Sequence, residues 1–119
     1  MTKSWQPYAK HIIDAIAKIR RIESRGDLTQ DEVLYDAALR NLQTLSEATQ
    51  SLPAAMKACY PEIPWREISG FRNILVHNYL GEIDAYTVAA VISNHLPVLE
   101  KCINSMLYRE GDIPMGGRC

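Results

Sequence analysis

Apolar residues in this chain return every third or fourth position nearly throughout, with prolines and glycines interrupting them. A period near 3.6 buries one stripe of a helix and cannot bury one face of a strand. Tyr8, Ile12, Ala15, Ile16, Ile19 and Ile22 mark a first helix, with Ser4 as an N-cap candidate, Pro7 in the first turn and Gly26 as the stop. Thr29-Gln30-Asp31-Glu32 reads as a capping box, and Leu34, Ala38, Leu42 and Leu45 carry a second helix to about residue 50. Pro53 ends that helix or opens a short third one through Tyr60. Pro61 and Pro64 exclude helix interior between them, since each lacks an amide donor and extends its predecessor. A fourth helix is predicted from Pro64 or Trp65 through Tyr79, with Gly81 breaking it. Asp84 then caps a fifth, whose inner face is Val88, Val91, Ile92, His95, Leu96, Leu99, Ile103 and Met106. Pro97 falls inside that pattern and is expected to bend or split the helix. No alternating pattern and no glycine-rich phosphate loop occurs. The expectation is an all-α, antiparallel bundle of about five helices over residues 1–110, with a mobile tail at 111–119.

Charge narrows the function classes. Thirteen Lys and Arg against fourteen Asp and Glu leave a net charge of −1, so no strong overall field draws the chain to nucleic acid or anionic lipid. The distribution is uneven. Residues 1–26 hold six basic and two acidic side chains, whereas residues 27–50 hold one and five. This reads as two solvated helix faces, with a weak phosphate-attracting patch as the minor alternative. Cys59, Cys102 and Cys119 are far apart and have no His at zinc-ligand spacing, which fits reduced thiols and no metal site. The N-terminal residues lack a signal-peptide core, and no run approaches the roughly 18–20 apolar residues that span a bilayer. A soluble, cytoplasmic protein without cofactor is the expectation.

Candidate chemistry concentrates in the fourth helix. Arg72 and His77 lie about 140° apart around it, flanking one side without stacking. Asn73 shares the face of His77 four residues on, where its amide is placed to orient the imidazole. Tyr79 stands at the helix end. Histidine titrates near neutrality and exchanges protons with a 2′-hydroxyl or a leaving oxygen, while a guanidinium offers forked donors to a phosphate gaining charge. Together they suit metal-free RNA cleavage, and a two-fold dimer would place two copies in one cleft. The same residues also fit a polar helix face at a bundle seam.

The segment Ile63-Pro64-Trp65-Arg66-Glu67-Ile68-Ser69-Gly70-Phe71-Arg72-Asn73-Ile74-Leu75-Val76-His77-Asn78-Tyr79 resembles the signature of HepT-like HEPN proteins. Arg72, Asn73, His77 and Tyr79 fill its Arg-polar, His and Tyr positions, and Tyr60 to Trp65 and Leu96-Pro97 also read like the family. The resemblance implies a HEPN-like bundle acting as a homodimeric, metal-independent endoribonuclease toxin of a toxin–antitoxin system. Arg72 and His77 would be its catalytic residues and Asn73 a supporting one. The implied antitoxin partner is an MntA-type minimal nucleotidyltransferase, which neutralises the toxin by AMPylation of the motif tyrosine, here Tyr79. The alternative is a non-catalytic HEPN module that binds a nucleotide or docks a transferase.

Other polar residues receive structural expectations. His95 lies on an apolar stripe and reads as a packed core histidine, and His11 as a surface one. Trp65 reads as an anchor for the fourth helix, and Glu67 as an ion-pair partner of Arg66 or Lys57.

Overall fold

The computed structural model describes residues 4–77 and 83–110, with the side chains of all but 75–77, 109 and 110. Five helices follow one another: α1 (Gln6–Arg25), α2 (Glu32–Thr49), α3 (Ala54–Ala58), α4 (Trp65–His77) and α5 (Ala85–Glu110). No strand occurs among the described residues. The all-α, five-helix expectation therefore holds.

The α1 stripe is buried largely as its period requires. Ala9, Ile12, Ala15, Ile16 and Ile19 are buried, and Tyr8 and Ile22 pack at the edge. On α2 the buried face is Tyr35, Ala38, Leu42, Leu45, Ser46, Ala48 and Thr49, and Leu34 is partly covered. These two faces meet in the main helix pair, α4 packs on α2, and α5 packs on α1. Arg20 Nη1 reaches Glu100 Oε1 at 2.7 Å, linking the outer edges of α1 and α5.

Two caps differ from the sequence reading. Trp5, not Ser4, is the N-cap of α1, and no side chain caps that end. At α2 the N-cap is Asp31, whose Oδ1 accepts from the amides of Val33 (2.9 Å) and Leu34 (3.3 Å). Thr29 is diverted: its hydroxyl and amide both donate to Asp27 Oδ1, at 2.7 and 2.9 Å. That pair of bonds also holds the Asp27 carboxyl below its ordinary pKa. Thr29 and Asp31 compete to cap this helix, and the one closer to it takes its free amides.

Gly26 closes α1 as expected, its amide donating to the Glu23 carbonyl. A Cβ at this position would lie 3.0 Å from Leu34 Cδ1, so the missing side chain lets α2 turn back closely. Pro97 does not split α5, which runs unbroken from Ala85 to Glu110 around it. The apolar contacts of Leu96 and Leu99 on either side outweigh one lost helix bond. Asp84 behaves as a cap, accepting at Oδ2 from the Thr87 amide at 3.3 Å. The Tyr35 phenol donates to the Ile83 carbonyl and ties α2 to the start of α5.

His95 departs from expectation: it is exposed rather than packed. Val88, Ile92, Leu96, Leu99, Ile103 and Met106 do form the buried face of α5, with Val91 at its margin. His95 instead borders a cavity of about 570 Å³ lined from α2, α4 and α5, and its imidazole stays exposed there. Cys102 is free and buried. The extension of the fourth helix to Tyr79, the break at Gly81 and the tail 111–119 lie outside the described residues.

Candidate active site on the fourth helix

Placement of α4 begins in the connector before it. Ile63 is buried, its amide bonded to the Tyr60 carbonyl, and this pins the two-proline turn to the core. The indole Nε1 of Trp65 then donates to the carbonyls of Lys57 (3.0 Å) and Tyr60 (3.1 Å), joining the first turn of α4 to the end of α3. The Lys57 ammonium stands 5.7 Å from the Trp65 ring centroid, within cation–π range. Burial lowers its pKa. Trp65 is thus the anchor the sequence suggested, and its polar edge anchors it as well as its ring.

Along α4, polar contacts to α2 fix the register. Gln50 Nε2 donates to Ser69 Oγ at 2.9 Å, and one turn further on Arg72 Nη2 meets Glu47 Oε2 at 3.5 Å. Numbering rises on α2 as it falls on α4, so the helices run antiparallel. Small buried residues of α2, Ser46, Ala48 and Thr49, allow the approach. Their hydroxyls cost little there, because Ser46 donates to the Gln43 carbonyl and Thr49 to that of Ser46.

Arg72 is the best-defined member of the predicted set. Its Nη1 donates to Asn73 Oδ1 at 3.1 Å, its Nη2 faces Glu47, and its Nε is buried without an acceptor. Asn73 is exposed and engages the guanidinium. The backbone of α4 continues helically to His77, so Arg72 and His77 share one rigid element. The His77 side chain lies outside the described residues, as does Tyr79. The expected contact between Asn73 and His77 lies there too. His11 is exposed, as read from sequence. Glu67 takes neither pairing expected of it and borders the cavity instead. Among the described residues no group of three or more His, Cys, Asp or Glu side chains could hold a metal ion. No helix among them is long and apolar enough to cross a membrane.

Glu47 is the residue that sequence reasoning missed. It precedes Arg72 by 25 positions on another helix, and no local spacing points from one to the other. The only sequence hint was the excess of acid in residues 27–50.

Comparison with known proteins agrees with the family resemblance. A family model described as "Ribonuclease HepT-like" matches residues 10–106. A "Putative RNase" of Caldanaerobacter subterraneus subsp. tengcongensis is 32% identical over 112 residues, covering 91% of this chain and 98% of the relative. The "Probable ribonuclease HepT" of Thermococcus cleftensis is 30% identical over 103 residues, covering 84% and 93%. A "Putative RNase" of Methanocaldococcus jannaschii is 34% identical over 89 residues, covering 75% and 76%. No solved structure matches the chain. With five helices, an Arg-x4-His-x-Tyr segment on and just beyond α4, and a family match over residues 10–106, the chain belongs to the HepT-like ribonuclease family.

Proposed function

We propose that this protein is a metal-independent endoribonuclease toxin, working as a two-fold homodimer in the cytoplasm. The observation that supports this reading is the state of Arg72: a half-exposed guanidinium, its terminal nitrogens directed at polar partners, one and a half turns before His77 on the same helix of a HepT-like chain. Arg72 binds the scissile phosphate and neutralises the charge that grows on it as the 2′-oxygen attacks. His77 removes the 2′-hydroxyl proton, and its copy from the second subunit protonates the departing 5′-oxygen. Asn73 supports Arg72 by accepting from Nη1.

Tyr79 is the regulatory handle. A minimal nucleotidyltransferase antitoxin directs its phenolic oxygen at the α-phosphorus of ATP, forming a new P–O bond as pyrophosphate leaves. A base of that partner takes the phenol proton. The added phosphate places negative charge beside the cleft and obstructs RNA.

Purified protein incubated with single-stranded RNA and excess chelator is expected to cut it. His77→Ala is expected to abolish cutting, and Arg72→Ala to slow it by about a hundredfold or more, with helical circular dichroism retained. Cutting by His77→Ala at the parental rate would replace this reading with a binding module. Incubation with the cognate transferase, ATP and magnesium is expected to add AMP to the Tyr79 peptide and silence the nuclease. Tyr79→Phe is expected to remain active and escape. Light scattering is expected to give a dimer at micromolar concentration.

A further inference from the structure

Arg72 presents an unusual combination of open and closed donors. Its Nε is sealed from water with no acceptor, so only the outer edge of the guanidinium, Nη1 and Nη2, is available to anything that approaches. Both outer nitrogens already have partners. Asn73 Oδ1 accepts from Nη1 at 3.1 Å, and Glu47 Oε2 lies 3.5 Å from Nη2. Carboxylate and phosphodiester oxygens ask for the same donors. Each outer nitrogen keeps a second N–H, so a phosphate finds donors there, but it meets them beside the like-charged Glu47 carboxylate and repels it from Nη2.

We propose that Glu47 is the positioning residue of Arg72: its carboxylate holds the guanidinium on the α2–α4 seam and is displaced by an incoming RNA phosphate. This rests on the reading of Arg72 as the phosphate-binding cation. The geometry makes Glu47 a counter-ion that yields. The contact lies at the long end of an ion pair, and the two side chains keep 32% and 48% of their exposure. Water screens such a pair, and its strength is below about a fivefold change in equilibrium. That is enough to select one orientation of a long side chain and too little to hold it against a better-matched anion. The neighbouring Gln50–Ser69 contact, one turn away, sets the register that brings Glu47 opposite Arg72.

The inference predicts a coupling between two residues on different helices. Affinity for a single-stranded 2′-O-methyl RNA oligomer, which lacks the attacking hydroxyl, is measured by fluorescence anisotropy for the parent, Glu47→Gln, Arg72→Ala and the double variant. Glu47→Gln is expected to tighten binding about two- to fivefold at low salt, and the gain is expected to vanish in the Arg72→Ala background. Equal tightening in both backgrounds would mean that any lost negative charge suffices, and would overturn the proposal. So would unchanged or weaker binding by Glu47→Gln. In steady-state cleavage the same variant is expected to lower KM, a response that a merely structural residue would not give. A second readout needs no RNA. The Arg72 Nε–H resonance is expected to shift in Glu47→Gln while thermal stability stays within a degree or two, and an unmoved resonance counts against the proposal. The two readings fail separately. Coupling in a protein that cuts no RNA removes the nuclease and keeps Glu47 as the partner of Arg72. Cleavage without coupling keeps the nuclease and removes Glu47.

Discussion

At the level of single residues, the structure redistributes work that the sequence had assigned to neighbours. The cap of α2 is Asp31, although Thr29 and Glu32 have the spacing of a capping box. Asp31→Ala is therefore expected to cost about 1 kcal/mol in chemical denaturation, and Glu32→Gln a few tenths at most. A larger loss from Glu32→Gln would restore the capping box. Trp65 offers a second residue-level check. Trp65→Phe keeps an aromatic ring but loses the indole N–H bonds to the carbonyls of Lys57 and Tyr60, which keep their backbone donors, at a cost of about 1 kcal/mol. In the core, Ile16→Ala removes a fully buried side chain between α1 and its neighbours and is expected to cost about 2–5 kcal/mol.

The helices differ in how firmly they are held. Five residues of α1 and seven of α2 are buried, whereas the described side chains of α4 meet the core through the partly buried Trp65, Ile68 and Phe71. Ile74 on the same helix stands 42% exposed. The amides of α4 are accordingly expected to exchange hydrogen faster than those of α1 and α2, because local opening there exposes less apolar surface. Slower exchange in α4 than in α1 would contradict this. Helix α5 carries its own weak point. Pro97 removes one helix bond, so Pro97→Ala is expected to raise stability, by at most about 3 kcal/mol, as read from the denaturation midpoint.

For the molecule as a whole, buried acids make stability fall in alkali. Burial, reinforced by Glu62, pushes the Cys102 thiol up to about 12 from an ordinary 9. Burial, together with Asp36 and Asp84, also raises the Tyr35 phenol. Each of these two folded groups keeps its proton after the unfolded chain has lost it, so their contribution to stability is level below pH 9 and declines above it. The thermal midpoint is expected to drop between pH 9 and 11, and more gently in Cys102→Ala, which lacks the thiol. Equal slopes in the two proteins would remove Cys102 as a cause.

The fold class was legible because helical periodicity is a local property: Ile12, Ile16 and Ile19 fall on one stripe whatever they pack against. The motif was legible for the same reason, since Arg72 to Tyr79 is one continuous stretch of chain. What the sequence could not carry were choices made between distant segments. His95 has the register of a core residue, yet it borders a cavity lined from α2, α4 and α5 and stays exposed. Thr29 and Asp31 are both competent caps, and the path of the turn after Gly26 selected one. Glu47 reached Arg72 only because small residues of α2 and the Gln50–Ser69 contact brought two helices into register. Hydrophobic period is written along the chain, whereas a side chain's partner depends on which helix faces arrive opposite one another, and only packing decides that.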